Sequence, residues 1–363
     1  MVEKTATNPL LINLSVLLAQ PTGISHYATS LLPHLQPLQP TLLAAKQIAG
    51  YCCHRIPGNL SPEYGAKGHA RRLWWTQFRL ASIFRQLEAS LLFSPVPEAP
   101  LYRRCCAVVM VHDLIPLRFP QRSSLTYYCR TYVPQVLAQA EHIICNSTAT
   151  ARDIADFYGI SAGKITPIQL AYDAERFFSG SSRQISSTPY FLYVGRHNPH
   201  KNLHRLIQAF ASVRCGDYQL WLAGAPDRRY TPHLQTQVEE LGLSDRVRFL
   251  DYVPEDQLPT LIRNATALVF PSLWEGFGLP VLEAMACGTP VMTSNVSSLP
   301  EVAGDAALLV DPYSTSEIAG AIATLAEEAP VRSHLSRLGL KQAKQFSWQK
   351  TGQATAEILQ NYL

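Results

Sequence analysis

The feature that most constrains the fold is a regular alternation between short apolar runs, rich in residues that favour β-strands, and longer stretches with helical periodicity. Helices are predicted over 150–158 and 203–213, for example, each following one of the short runs. This alternation is typical of parallel sheets covered by helices, so an α/β fold is predicted. The predicted strands are 10–18, 107–112, 142–145, 190–194, 218–222, 247–250, 267–270 and 290–293.

The length of the chain and one serine-rich segment predict two domains. A chain of 363 residues is long for a single hydrophobic core. The segment 179–188, SGSSRQISST, has few apolar residues and predicts a linker. We therefore expect one Rossmann-like domain over 1–180, a second over 181–346, and a helix at 347–363 that packs back on the first. A ligand cleft is expected where the carboxyl ends of the parallel strands open.

Composition excludes several classes of protein. Hydrophobic residues make up 47% and charged residues 16%, which indicates an ordinary globular protein rather than a disordered one. The apolar run at 10–18 is too short to span a bilayer, and no cleavage pattern follows it, so neither a signal peptide nor a membrane anchor is predicted. Eight scattered cysteines without a C-x-x-C pair favour the reducing cytoplasm.

The charge distribution indicates an anionic partner for the first half of the chain. The net charge of +4 is too small to predict nucleic-acid binding. Residues 1–180 carry an excess of six positive charges, whereas the remainder carries an excess of two negative charges. A surface of the first half is therefore expected to meet something anionic.

The strongest motif is SLWEGFGLPVLEAMACGTPV at 272–291, in which Glu275 and Glu283 bracket seven residues. The residues that follow Glu275 are Gly276, Phe277, Gly278 and Leu279. Glycine permits a positive φ and a close approach of the backbone to a ligand. Pro280 suits the first turn of a helix, whose free N–H groups can face an anion or sugar hydroxyls. The two carboxylates are predicted to hold different parts of one ligand. The alternative is that both only favour the helix N-terminus electrostatically.

A second motif, YFLYVGRHNPHKNLHRLIQAF at 190–210, combines a strand end with two cations. The strand is predicted to end at Gly195 and Arg196, and Lys201 immediately precedes a helix. Arginine offers a planar fork to phosphate oxygens, and lysine adds a mobile point charge. Together they predict a diphosphate-binding site that would also stabilise negative charge on a departing phosphate group. The alternative is a pair of solvated surface cations.

Three histidines in the second motif, His197, His200 and His204, raise the question of a metal site. No carboxylate or cysteine accompanies them, and the chain lacks the D-x-D dyad that metal-dependent sugar transferases use. A phosphate site built from arginine and lysine makes a divalent ion redundant. We therefore expect no metal and no cofactor at this site.

Both motifs resemble those of glycosyltransferase family 4, as E-x7-E and G-R-x4-K-N. The resemblance implies a GT-B fold, with two Rossmann-like domains facing each other across a cleft, and retaining transfer of a sugar from a nucleotide-diphosphate donor. It assigns Glu275 and the backbone of 276–279 to the transferred hexose and Glu283 to the ribose hydroxyls. It assigns Arg196 and Lys201 to the diphosphate. It also implies that the donor phosphate helps to deprotonate the acceptor.

Four further positions are matched to the family through the resemblance. Gly23, in the loop PTGIS, is expected near the phosphates, although the family often has a second glycine where this chain has Ser25. His112 resembles the family's histidine near the transferred sugar, but a histidine at a strand end is often structural. Backbone groups near Tyr252 and Val253 are expected to contact the nucleotide base, which leaves uracil and guanine open.

The segment HDLIPLRFP at 112–120 resembles bacterial mannosyltransferases of surface-polysaccharide assembly. GDP-mannose is therefore the preferred donor, a UDP-hexose (glucose, galactose or GlcNAc) is the main competitor, and the expected acceptor is a glycan or a lipid-linked saccharide. Two other classes stay open, namely a sugar-nucleotide epimerase on the same fold and a catalytically silent sugar-nucleotide-binding subunit.

A basic, aromatic helix is predicted over 69–89. On a helical wheel one face suits the core, and the opposite face combines tryptophan with arginine, as an interfacial helix or a lipid-linked acceptor site would. Peripheral contact with an anionic inner membrane is one hypothesis, and coverage by another element or subunit is the other. The core face is Leu73, Leu80, Phe84 and Leu87, and the other is Trp74, Trp75 and Phe78 with Arg71, Arg72 and Arg85.

Overall fold

The computed structural model describes residues 10–18, 23–101, 105–180, 188–214 and 216–363. The chain divides into two compact units. The first consists of residues up to Leu170 together with Trp348–Leu363, and the second is Ala171–Ser347. Pro21 and Thr22 of the predicted phosphate loop, residues 181–187 of the predicted linker, and Cys215 lie outside the described residues.

The first unit is built on a seven-stranded parallel sheet in the order β3-β2-β1-β4-β5-β6-β7. Strands β1, β5 and β6 are buried along almost their whole length, as expected for parallel strands covered by helices on both faces. The strands are β1 (Leu10–Asn13), β2 (Thr41–Ala44), β3 (Cys52–Arg55), β4 (Leu91–Ser94), β5 (Ala107–Val111), β6 (His142–Cys145) and β7 (Ile165–Pro167).

Among the described residues between 23 and 158, seven α-helices accompany this sheet. The start of the last one is fixed by a side-chain cap, because the Ser147 hydroxyl accepts a hydrogen bond from the Thr150 backbone N–H. Gly159, with φ of 65°, ends it. The helices are α1 (Gly23–Leu35), α2 (Gly65–Trp75), α3 (Ala81–Gln86), α4 (Ile115–Arg118), α5 (Ser124–Thr131), α6 (Val133–Gln139) and α7 (Thr148–Tyr158).

The second unit contains a six-stranded parallel sheet in the order β10-β9-β8-β11-β12-β13. Strand β8 lies between β9 and β11. From β8 the chain continues to β9 on one flank, and from β11 it continues to β12 on the other, so the direction of strand order switches between β8 and β11. Such a switch point opens a crevice at the carboxyl ends of the two central strands. The strands are β8 (Tyr190–Val194), β9 (Gln219–Ala223), β10 (Val247–Phe249), β11 (Ala267–Phe270), β12 (Val291–Ser294) and β13 (Leu308–Val310).

The described part of the second unit has seven α-helices, and an eighth then returns the chain to the first unit. The second-unit helices are α8 (Leu203–Ser212), α9 (Thr231–Glu240), α10 (Leu258–Asn264), α11 (Leu279–Ala286), α12 (Leu299–Ala303), α13 (Thr315–Glu327) and α14 (Ala329–Ala343). Helix α15 (Trp348–Gln360) packs on α1, and the Thr351 hydroxyl donates to the Gln169 carbonyl at 2.8 Å. A Cβ on Gly352 would lie 2.2 Å from that of His34, so glycine permits this close packing.

Both sheets match the predicted α/β class, and β6, β8 and β11 have the predicted bounds. Strand β1 is shorter than predicted, since it ends at Asn13 and the chain turns where Leu17 N donates to Leu14 O. Five strands were missed, namely β2, β3, β4, β7 and β13. Each of them has only three or four residues, too few to form a long apolar run. In addition, β3, β7 and β13 lie at sheet edges.

The predicted helix over 69–89 is interrupted by a π-helical segment, Thr76–Leu80. Such a segment inserts about one extra residue into the repeat and rotates the buried face by roughly 100°. One helical wheel therefore cannot describe both halves. The prediction that Trp75 and Arg72 face outward was wrong. Trp75 is 4% exposed in the core and Arg72 forms a buried ion pair with Glu98, whereas Trp74 is 59% exposed.

No helix among the described residues has both the length and the apolarity required to cross a bilayer.

The adjacent tryptophans give a matched test of this helix phase. Trp75→Ala is expected to lower the free energy of unfolding by about 3–5 kcal/mol, because it opens a cavity in the core. Trp74→Ala is expected to change it by less than about 0.5 kcal/mol, because this side chain is exposed. Urea denaturation followed by circular dichroism measures both values, and equal losses for the two variants would contradict the assigned phase.

Candidate active site

Two glycines let the ends of β8 and β9 approach each other. Gly195 and Gly224 follow these strands, and both have φ of 151°. A Cβ on Gly224 would lie 2.0 Å from the Gly195 carbonyl oxygen, and one on Gly195 would lie 2.6 Å from the Tyr193 hydroxyl. Glycine at these positions therefore permits the tight turn that leads from β8 to the predicted phosphate-binding cations.

Lys201 is positioned by a short 3-10 turn (Pro199–Lys201) and by the residue that follows it. Asn202 is fully buried and has φ of 63°. Its side-chain amide donates to the Pro271 carbonyl at 2.9 Å and to the Pro312 carbonyl at 2.7 Å. The bond to Pro271 ties the start of α8 to the loop after β11, which carries Glu275, and the bond to Pro312 ties it to the loop after β13.

The predicted residues Lys201 and Glu275 form an ion pair. Lys201 Nζ donates to Glu275 Oε1 at 2.6 Å and to Oε2 at 2.9 Å. Only 15% of the lysine side chain and 10% of the glutamate side chain is exposed. Lys201 Nζ also lies 5.4 Å from the centroid of the Phe270 ring. The sequence motifs assigned these two side chains to different parts of a ligand, and the structure places them in contact with each other.

The loop that carries Glu275 is held by hydroxyls from the segment after β12. Ser298 Oγ donates to the Glu275 carbonyl at 3.0 Å and to the Phe277 carbonyl at 2.8 Å. The backbone N–H of Glu275 donates to Ser297 Oγ at 3.1 Å. Sequence reasoning missed both serines, because they bind backbone groups more than 20 residues away and belong to neither motif.

Gly278 and the start of α11 complete this loop. Gly278 has φ of 112°, and a Cβ there would lie 2.8 Å from the Leu299 Cδ2 atom. Both features favour glycine at this position. Helix α11 begins at Leu279 with Pro280 in its first turn, as predicted from the motif.

Glu283 lies one turn into α11 and is partly buried. Burial raises the pKa of its carboxyl to about 7, and the positive charge of Arg176 opposes this rise. Arg176 in turn donates from Nη1 to Glu255 Oε2 at 3.2 Å. Glu283 therefore changes its charge near neutral pH. Arg176 influences that change, although no motif singled it out.

Arg196 and the three histidines have different surroundings from Lys201. The Arg196 side chain is exposed beyond the end of β8. His197 is buried, with Nδ1 3.0 Å from Thr231 Oγ1, and burial lowers its pKa. Burial also lowers the pKa of His200 to about 4. His204 is exposed on α8. Within the described parts of the chain, no group of three or more His, Cys, Asp or Glu side chains could hold a metal ion.

The residues predicted to meet the nucleotide base lie at the same edge of the second sheet. Tyr252 and Val253 follow β10, and the Tyr252 side chain is exposed. The Asp251 carbonyl accepts a hydrogen bond from the Gly224 N–H at 2.7 Å. This bond ties the segment to the glycine turn after β9, two strands from the loop of Glu275.

His112 lies in the first unit, directly after β5. Its Nε2 donates to the Pro95 carbonyl at 2.9 Å, and its ring lies edge-on to Tyr27 at 5.0 Å. Burial lowers the pKa of His112 to about 4. The imidazole is therefore neutral at pH 7. With the proton on Nε2, its Nδ1 atom is a hydrogen-bond acceptor.

Gly23, the other predicted residue of the first unit, begins α1 and is exposed. A Cβ at this position would meet no described atom within 4 Å. The surrounding structure therefore does not itself require glycine there.

Comparison with known families matches almost the whole chain. A profile for "Glycosyltransferase Family 4" matches residues 21–176, and one for "Glycosyl transferases group 1" matches 176–342. O-antigen chain mannosyltransferase B of Escherichia coli is 34% identical over 257 residues, which cover 67% of each chain. O-antigen chain mannosyltransferase RfbU of Salmonella typhimurium is 30% identical over 316 residues, or 84% of this chain and 87% of the relative.

Solved structures support the same architecture. Sucrose-phosphate synthase from Thermosynechococcus elongatus matches 98% of both chains with a TM-score of 0.77 and 19% identity. The Anabaena protein HepE in complex with UDP and glucose matches 97% of this chain and 99% of its own, with a TM-score of 0.74 and 22% identity. The two Rossmann-like domains thus form a GT-B fold, and the chain belongs to glycosyltransferase family 4 and is a glycosyltransferase.

Proposed function

We propose that the protein is a metal-independent, retaining hexosyltransferase that transfers mannose from GDP-mannose to a glycan or lipid-linked acceptor. The observation that carries this proposal is the Lys201–Glu275 ion pair at the carboxyl ends of the two central strands of the second sheet. Ligands bind at this place in open α/β sheets, and the pair supplies both a cation for phosphate and a carboxylate for sugar hydroxyls.

In the proposed donor complex, the diphosphate competes with Glu275 for Lys201. When the ion pair opens, Lys201 gains the diphosphate and Glu275 gains the sugar hydroxyls. Neither charge is therefore left without a partner in a partly desolvated site. Glu275 then accepts hydrogen bonds from the hexose, and Glu283 accepts them from the ribose. Arg196, whose exposed side chain is already close to the end of β8, adds a second cation to the leaving group.

The proposed reaction forms a bond between the acceptor oxygen and the anomeric carbon while the bond from that carbon to the donor phosphate breaks. The acceptor proton passes to the departing phosphate oxygen. A histidine whose pKa lies near 4 is a weak base at neutral pH, which supports a positioning role for His112 rather than a role as general base. Its Nδ1 atom can accept a hydrogen bond from a sugar hydroxyl.

Metal independence rests on the charges that the chain itself provides. Lys201 and Arg196 offer the positive charge that a divalent ion otherwise supplies to a departing diphosphate. The sequence has no D-x-D dyad.

The choice of mannose rests on relatives whose names specify that sugar, two of them at 34% and 30% identity. The segment 112–120, which begins at His112, adds the resemblance to mannosyltransferases of surface-polysaccharide assembly. A UDP-hexose is the alternative donor. The likeness to HepE, at 22% identity, supports the fold and does not decide between the two.

We also propose that the protein works in the cytoplasm, with the first unit in peripheral contact with an anionic membrane. Trp74 and Phe78 are exposed, with their ring centroids 5.3 Å apart. Helix α5 lies alongside, since His69 of α2 contacts Tyr128 at 5.0 Å. Exposed basic and apolar side chains on and beside these helices suit anionic lipid headgroups. They are Arg71, Trp74, Phe78, Arg79, Arg122, Leu125, Tyr127 and Arg130.

Glu283→Gln is expected to separate stability from nucleotide binding. Folding raises the pKa of Glu283, so above that pKa its charged carboxylate lowers the free energy of unfolding. This loss of stability disappears as the pH falls toward about 4.3, the ordinary pKa of a glutamate in the unfolded chain. The variant should therefore melt at a higher temperature than the wild type at pH 8, with little difference at pH 5. Differential scanning fluorimetry measures this.

The same variant should bind GDP more weakly than the wild type does, because an amide accepts fewer hydrogen bonds from ribose hydroxyls than a carboxylate does. The difference should be larger at pH 8 than at pH 6, where Glu283 is mostly protonated. A variant that binds GDP as well as the wild type at both pH values would remove Glu283 from the nucleotide site.

Transfer from GDP-mannose is the direct test of the proposed function. With an acceptor extract from polysaccharide-producing cells, Lys201→Ala and Glu275→Ala are each expected to lower the rate by about tenfold or more. EDTA is expected to leave the rate unchanged. Radiolabelled sugar in the product gives the rate.

Lys341→Ala and Glu239→Ala, two exposed positions on helices of the same unit, serve as matched controls and should retain full activity. Loss of activity with EDTA would refute metal independence. Transfer from a UDP-hexose but not from GDP-mannose would refute the choice of donor, and conversion of the donor without acceptor would indicate an epimerase.

The membrane contact is tested by co-sedimentation with vesicles. The wild type should pellet with vesicles rich in phosphatidylglycerol and stay in solution with neutral ones. Trp74→Ser combined with Phe78→Ser should reduce the pelleted fraction several-fold. Tyr313→Ser, which removes an exposed aromatic ring from the second unit, should not. Equal recovery in the supernatant with both kinds of vesicle would eliminate the proposed contact.

A further inference from the structure

The first unit contains a cavity of about 520 Å³ that the proposed donor site does not use. It lies at the carboxyl ends of β1, β2 and β3. Because the strands are parallel, this is the same end of the sheet at which β5 leads into His112. Its polar lining consists of Ser15, Lys46, Arg55, Ser61, Glu63 and Tyr64, and leucine, isoleucine, alanine and proline side chains form most of the remainder.

Two backbone hydrogen bonds lie just beyond the strand ends beside this cavity. Leu14 N donates to the Leu43 carbonyl at 3.0 Å, and Ile56 N donates to the Ala44 carbonyl at 3.1 Å. They continue the β1–β2 and β2–β3 pairing by one residue. As a result, Ser15 and the segments that carry Lys46 and Arg55 lie side by side at one edge of the sheet.

The lining segment that contains Ser61 packs on helix α2. A Cβ on Gly68 of α2 would lie 2.3 Å from the Ser61 carbonyl oxygen, so the helix packs directly on the backbone of this segment. Arg72 Nη1 reaches the Leu60 carbonyl at 3.4 Å while Nε pairs with Glu98 at 2.9 Å. A preformed lining lowers the ordering cost of binding.

The lining offers unpaired hydrogen-bonding groups and an excess of positive charge. Among the described residues, the hydroxyls of Ser15 and Ser61 have no hydrogen-bond partner, although these residues are only 5% and 8% exposed. A buried hydroxyl without a partner costs about 1–3 kcal/mol, so such groups are typically satisfied by a ligand or a water. Lys46 and Arg55 are exposed, and neither forms an ion pair with any described residue.

We propose that this cavity binds the saccharide acceptor through a negatively charged substituent, a phosphate ester or a carboxylate, which Lys46 and Arg55 hold. Two cations against the single carboxylate of Glu63 favour an anion, and the arginine fork fits the paired oxygens of either group. Tyr64, which is exposed at the cavity, provides a flat face for the sugar ring. This inference rests on the proposed function, since it names the class of acceptor.

The full-length protein can be tested with three sugars that share the glucose ring and differ at C6, namely glucose, glucose 6-phosphate and glucuronate. Isothermal titration at low salt, with GDP or UDP at saturation to fill the donor site, gives their affinities. At least one anionic sugar should bind about tenfold or more tightly than glucose, and the preference should weaken at high salt because both cations are exposed. The two anionic sugars distinguish a phosphate ester from a carboxylate.

Substitution decides whether the cavity is the site. Lys46→Ala combined with Arg55→Ala should abolish the preference for the anionic sugars. Lys67→Ala combined with Arg152→Ala, an exposed pair outside the cavity lining, should preserve it. Equal affinities for the three sugars, or an anion preference that survives loss of Lys46 and Arg55, would overturn the inference.

Nucleotide binding, measured in the same titrations, separates this inference from the proposed function. If GDP or UDP binds normally and the anionic sugars do not, only the cavity inference fails. If neither nucleotide binds, the proposed donor site itself is wrong.

Discussion

The ion pair between Lys201 and Glu275 is the interaction on which the rest of the donor site depends. Its residues are 74 positions apart and mostly shielded from water, so it requires a fixed backbone at both ends. Asn202 supplies this on one side by binding two carbonyls of other loops, and Ser298 supplies it on the other. Losing one member would leave a partly buried charge without a partner, which is more costly than losing an exposed pair.

The architecture was largely readable from the sequence because buried parallel strands appear as continuous apolar runs. Strands β6, β8 and β11 illustrate this, since burial along nearly their whole length leaves no polar alternation to obscure their bounds. Strand β3, CCHR, is an exposed edge strand and carries no such signal. The prediction of the buried face of the helix over 69–89 was wrong for another reason. The π-helical segment breaks the 3.6-residue period on which a helical wheel depends.

The candidate site was predictable where a side chain belongs to a motif and unpredictable where it acts on the backbone of another segment. Glu275, Glu283 and Lys201 follow from glycine turns and helix starts close by in sequence. Ser298 and Arg176 act across long separations, and nothing in their neighbourhood marks them. The ion pair itself is a product of folding, since neither motif indicates that its charged member faces the other.

The C-terminal helix determines the order in which the two units can be completed. Trp348 lies 6.4 Å from Tyr27, ring to ring, so helix α15 completes a packing layer of the first unit although it follows the whole second unit in sequence. A ribosome therefore delivers the second unit before the first has all of its parts. The second unit can therefore fold completely during translation. The first unit cannot complete its packing until α15 has been synthesised, and until then the surface of α1 that α15 covers stays exposed.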